Sequence, residues 1–169
     1  MTATTSEALA VAPCVRCAKV QRTCCQRAEI LLTEGDVARI AAHTGSDTFF
    51  EHRAPEAADY VEFDEDDPDW VGLTVRADGQ RRMLRRAENG DCGFLGAAGC
   101  VLPTETRPLV CRLYPWDYTA EGLLESAGEY CPTELFGGLE PMNVVLGIET
   151  ADARRWHVQL YEELRHGTA

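Results

Sequence analysis

Eight cysteines in a chain of 169 residues constrain the fold more than any other feature of this sequence. Cys14, Cys17, Cys24 and Cys25 stand near its start. Cys92, Cys100, Cys111 and Cys131 follow after a cysteine-free stretch over 26–91. Such a set is either a disulfide framework or a set of metal ligands, and the redox compartment arbitrates. The segment MTATTSEALAVAP has no basic n-region, and its apolar part is too short for a signal peptide. The expected compartment is the cytoplasm, where clustered thiols are more often ligands than cross-links.

Thiolate ligand sets are built from turns, because the chain must fold back on one ion. Two cysteines separated by two residues do this with little strain, and Cys14 and Cys17 are such a pair. Cys24 and Cys25 are adjacent. Neighbouring side chains tend to diverge, so this pair predicts two nearby metals or a polynuclear cluster, each thiol facing a different centre. The distal cysteines lie beside glycines (Cys92-Gly93, Gly99-Cys100) or at a helix start (Pro108 to Cys111), where backbone N–H groups are free to bond sulfur. Arg16, Arg107 and Arg112 are placed to offset thiolate charge.

Other chemistries fit less well. No strand pattern precedes Cys14 and no helical pattern follows Cys17, which argues against a thioredoxin-type site. Residue 18 is Ala, not the His of a c-type haem motif. His43, His52, His157 and His166 stand at no ligand spacing, and His157 reads as a packed helix-face residue. There is no phosphate loop, dinucleotide fingerprint or Ser/His/Asp arrangement. A thiol–disulfide switch at Cys24 and Cys25 is a further, metal-free alternative.

The remaining pattern is that of a globular protein, with 45% apolar and 26% charged residues. Sixteen bases against 28 acids give a net charge of −12, the wrong sign for nucleic acid or anionic lipid, and no segment is apolar enough to span a bilayer. Residues 1–13 read as a flexible tail and 14–169 as one domain. Thr33, Glu34 and Asp36 start a helix that Gly45 stops, and a shorter helix is expected over Thr48–Ala54. The run 56–69 carries only acids among its charged residues and reads as a solvated loop or lid. Strands over Val71–Ala77 and Gln80–Ala87 are expected to flank an Asp78-Gly79 hairpin turn. The second of these strands carries Arg81, Arg82, Arg85 and Arg86, which read as partners for the acidic run. A short helix should begin near Pro108 and end at Pro115, and Glu121-Gly122 can turn a hairpin. Ala153, Trp156, His157, Leu160, Tyr161 and Leu164 trace one face of a C-terminal amphipathic helix. The fold class is α+β: a small irregular domain organised around a Cys-ligated metal site.

The order C-x2-C-x6-C-C, C-x-F-L, G-C, R-P-x-x-C-R-x-Y-P, C-P resembles the YkgJ-like cysteine-cluster proteins, the CxxCxxCC zinc- or iron-chelating domain family. The resemblance spans Cys14 to Cys131. It implies that Cys14, Cys17, Cys24, Cys25, Cys92, Cys100, Cys111 and Cys131 are all candidate ligands for zinc or an iron–sulfur cluster. One branch resembles flagellin lysine N-methylases. That implies an alternative: an iron–sulfur-dependent enzyme using S-adenosylmethionine to modify a peptide, with a pocket between the cluster and the acidic run. A protein or peptide partner is expected in either case. The sequence leaves the metal, the substrate and the oligomeric state open.

Overall fold

Proline at a first helical turn has no N–H to leave unpaired, and Pro13 opens α1 (Pro13–Cys17) in this way. The computed structural model describes residues 12–127 and 131–167; the tail expected over 1–13 lies outside the described residues as far as 11. In α2 (Cys24–Arg27) the Gln26 side chain accepts the Thr23 backbone N–H at 3.0 Å. The longer α3 (Glu34–Thr44) is capped reciprocally. Thr33 Oγ1 accepts the Asp36 N–H at 2.9 Å and Asp36 Oδ2 accepts the Thr33 N–H at 3.1 Å. Gly45, at φ 71°, ends it as expected.

Two expected elements are different. Thr48–Ala54 is not helical; it contains β1 (Phe50–Arg53), because Phe49 and Phe50 pack on the core cluster of Leu32, Ile40, Leu84 and Leu102. Val71–Ala77 is not a strand. Helix α4 (Trp70–Thr74) takes its first part, since Trp70 and Leu73, three residues apart, then both reach the cluster around Trp156 and Tyr161. The Asp78-Gly79 turn does form, with Gly79 at φ 77° and its N–H on Arg76 O at 2.9 Å. It joins the exit of α4 to β2 (Arg81–Leu84) rather than two paired strands. Strand β2 instead pairs antiparallel with β1, Phe50 opposite Leu84 and Arg53 opposite Arg81. On its other side the chain at 30–32 lies alongside, Leu84 N–H donating to Ile30 O and Leu32 N–H to Arg82 O.

The second half carries the other expected pieces. Strands β3 (Leu95–Gly96) and β4 (Gly99–Cys100) make a minimal hairpin. A 3-10 turn at Thr104–Thr106 leads into α5 (Leu109–Leu113), which stops before the cis Tyr114–Pro115 bond. The Glu121-Gly122 turn joins β5 (Trp116–Thr119) to β6 (Gly122–Ala127). After a 3-10 turn at Thr133–Phe136 come α6 (Met142–Val145) and α7 (Thr150–His166).

Two-stranded sheets are marginal alone, so helix packing closes the core. Helix α7 buries Ala153, Trp156, His157, Leu160, Tyr161 and Leu164 against Leu31, Leu109 and Leu113. Each large apolar side chain buried there contributes about 1.5–3 kcal/mol. His157 is indeed packed and satisfied, its Nε2–H donating to Thr119 O at 2.7 Å. The architecture is a small α+β domain. Among the described residues no helix is long and apolar enough to cross a membrane.

Candidate metal centre

Helix α5 carries Cys111, and a buried carboxylate from another helix fixes its start. Pro108 has no N–H, and Asp36 Oδ1 accepts the next one, from Leu109, at 3.1 Å. The same oxygen accepts Arg39 Nη2 at 2.7 Å. Arg39 in turn pairs with Glu163 of α7 at 2.6 Å. One carboxylate thus ties α3, α5 and, through Arg39, α7.

All eight cysteines lie among the described residues, and all are free thiols. Four are gathered on the core side. The Cys92 N–H donates to Cys25 O at 2.7 Å, which pins the β-bridge residue Cys92 to α2. Cys92 and Cys100 pack on the Leu32, Ile40, Leu84 and Leu102 cluster. Burial raises the Cys111 thiol well above its ordinary value, and the neighbouring charges of Cys25, Cys92 and Cys100 raise it further. Burial likewise pushes the Cys92 thiol up to about 11, with Cys25 and Cys100 adding to the shift.

The other four meet at the surface. Cys14, Cys17, Cys24 and Cys131 line a small recess, walled by Phe136, Met142 and Leu146. Tyr114 lines the same recess, and its hydroxyl shares a hydrogen bond with Cys131 Sγ at 3.2 Å. Burial first and then this hydrogen bond raise the Tyr114 hydroxyl above its ordinary value. Arg16 Nη2 donates to Leu135 O at 2.7 Å with its guanidinium 4.9 Å over Phe136, so α1 and the turn after Cys131 are held together.

The vicinal pair stands at the seam between the two groups. Cys24 lines the recess, whereas the Cys25 carbonyl accepts the Cys92 N–H, and the charge of Cys25 acts on Cys92 and Cys111 as well as on Cys14. The two side chains do not fully diverge: a hydrogen bond with the Cys24 thiol is the first cause of the raised Cys25 thiol, followed by burial. Desolvation of its sulfur raises Cys14 as well, then Cys25, Cys131 and Cys17. Arg107 opposes the shift at both Cys14 and Cys25. Gathered thiols therefore resist ionising together unless a cation joins them. Among the described residues no three Cys, His, Asp or Glu side chains already stand close enough to hold a metal ion.

A family model described as "CxxCxxCC: Putative zinc- or iron-chelating domain" matches residues 13–132. The chain belongs to the CxxCxxCC family. Comparison with curated proteins and with solved structures returned no match. The CxxCxxCC match takes in all eight cysteines, as well as Asp36, Arg107 and Tyr114.

Of the three arginines singled out in the sequence, Arg107 is the one whose charge acts on the thiols. Arg112 is buried, and its guanidinium holds the loop before α5, donating to Arg107 O at 2.7 Å, Glu105 O at 2.5 Å and Glu105 Oε2 at 3.0 Å. The basic run of β2 does not simply answer the acidic run. Arg81 is buried with its guanidinium 4.5 Å over Tyr60, Arg82 lies 3.7 Å from Glu34, and Arg86 donates to Gly90 O. Asp36 and Tyr114 are the functional positions that sequence reading missed. Asp36 read only as a helix-start acid, and Tyr114 only as part of the R-P-x-x-C-R-x-Y-P string. Nothing local in either case signals a partner so far along the chain.

Proposed function

We propose that this CxxCxxCC chain is a metal-binding protein whose eight thiolates form two four-cysteine sets. Cys25, Cys92, Cys100 and Cys111 make the inner set; Cys14, Cys17, Cys24 and Cys131 make the outer one. The observation that carries this reading is that Cys24 lines the outer recess while its neighbour Cys25 is absent from that lining and is bonded through its carbonyl to the Cys92 N–H. Four thiolates suit zinc as a closed structural site, and they also suit an iron–sulfur cluster. Zinc is the simpler occupant, because it needs neither sulfide nor a redox partner. The donor chemistry fits: eight soft ligands with no competing histidine, and two arginines, Arg107 and Arg86, close enough to offset part of the thiolate charge.

Each side chain then has a defined role. The four thiols of a set give up their protons on ligation, so binding tightens with pH. The Cys25–Cys92 backbone bond and the Asp36 cap hold the inner set in register. Ligation supplies folding energy on the order of 10 kcal/mol per structural zinc site in small domains. No residue of 56–69 is among those lining the recess beside the outer set.

Cys111→Ser and Cys131→Ser, each purified anaerobically, test the division. Each variant is expected to lose about half of the bound metal, Cys111→Ser from the inner set and Cys131→Ser from the outer. Loss of all metal from both variants would point to a single shared cluster and contradict two sets.

A further inference from the structure

The two cysteine groups are built differently. Cys92 and Cys100, both half-buried, pack against the apolar core, Cys25 is tied to Cys92 through the backbone, and Cys111 rides on a helix whose first N–H is capped by a buried carboxylate. The outer four line a small recess, and Cys14 is exposed. They sit on the five-residue α1, on the first turn of α2 and on the turn at Cys131. The two contacts described above, Tyr114 hydroxyl to Cys131 Sγ and Arg16 to Leu135 O and the Phe136 ring, brace that turn.

We infer that the outer set is an exchangeable metal site and the inner set a permanent one, with Tyr114 and Arg16 as positioning residues that set how fast the outer site releases its ion. This rests on the two-set reading above. The ligand taken at the outer set is a soft divalent cation that can pass to and from another thiol-rich acceptor, which would approach it from the side of the exposed Cys14. Tyr114 acts by donating a hydrogen bond to the Cys131 sulfur, which orients that ligand and holds it in place. Loss of such a supporting hydrogen bond lowers metal affinity by about 10- to 100-fold. Arg16 acts one step further out, keeping the Cys131 turn against α1.

The test uses the full chain loaded with zinc(II) alone, mixed with a chromogenic chelator in excess. Total zinc is measured first, so that failure of the two-set reading is seen separately: a chain that takes up no zinc overturns that reading and this one with it. With zinc bound, the wild type is expected to release it in two phases of similar amplitude. Tyr114→Phe is expected to speed the fast phase about 10-fold or more and leave the slow phase unchanged. Arg16→Ala, an exposed change that leaves the core intact, should also speed only the fast phase. Cys131→Ser should abolish it. A single release phase in the wild type would overturn the inference. So would a Tyr114→Phe effect on both phases alike, or no effect of either positioning variant.

Discussion

Asp36 Oδ1 accepts the Leu109 N–H at 3.1 Å, so the carboxylate that caps one helix also caps the helix bearing Cys111. Asp36 is fully buried, and each of its bonds has no water to replace it. Removing the carboxylate orphans the Thr33 and Leu109 N–H groups and one arm of Arg39. Asp36→Ala is expected to destabilise the fold by on the order of 3 kcal/mol, and Asp36→Asn by less, because an amide oxygen still accepts. Urea unfolding midpoints give the comparison. Two variants within about 0.5 kcal/mol of wild type would show that the shared cap does not hold the helices.

Glu163 makes stability depend on acid. Burial opposes its ionisation, but Arg39, Thr33 and Gln159 outweigh that and hold the carboxyl below its usual range. A depressed folded value means that the contribution is complete above the unfolded value of ~4.3 and is lost as pH falls through the folded one. Asp36 works in the opposite sense. Its burial raises the carboxyl, and Arg39 and Thr33 offset this only in part. Its term therefore weakens as pH rises from the unfolded to the folded value. Glu163→Gln should be clearly less stable than wild type near neutral pH, with the gap closing towards about pH 3. A gap independent of pH would contradict the assignment.

Arg112 is the clamp on the loop that presents Arg107. Lysine cannot reach three oxygens with one ammonium as the guanidinium does. Arg112→Lys is therefore expected to lower stability by about 1–3 kcal/mol, measured by chemical denaturation. Metal content at saturation should stay at the wild-type value, because Arg112 gives its N–H groups to the loop rather than to sulfur. Unchanged stability would make the three bonds incidental.

The legible parts of the fold were those with a local cause. The Thr33–Asp36 box, Gly45, the Glu121-Gly122 turn and the α7 face all follow from spacing or backbone freedom within a few residues. Phe50 and Val71 show where that fails. Alternation over Val71–Ala77 suits a strand, yet Trp70 and Leu73 gain more burial from a helical turn, and β1 takes the place beside β2. The cysteines were legible as a set. The two-set division proposed above has a local sign only at Cys24 and Cys25, because the placement of the distal cysteines depends on α5 and on the turn at Cys131. Those are positioned by contacts from Asp36, Arg16 and Tyr114 to residues 73, 119 and 17 positions away.

Anaerobic purification followed by metal analysis, a visible spectrum and titration of reactive thiols tests the central claim most directly. The account predicts about two zinc ions per chain, no visible absorption, and thiols that react fully only after denaturation with a chelator present. Iron with acid-labile sulfide would put clusters on the same cysteines in place of zinc. A folded, metal-free protein whose eight thiols all react at once would contradict the account.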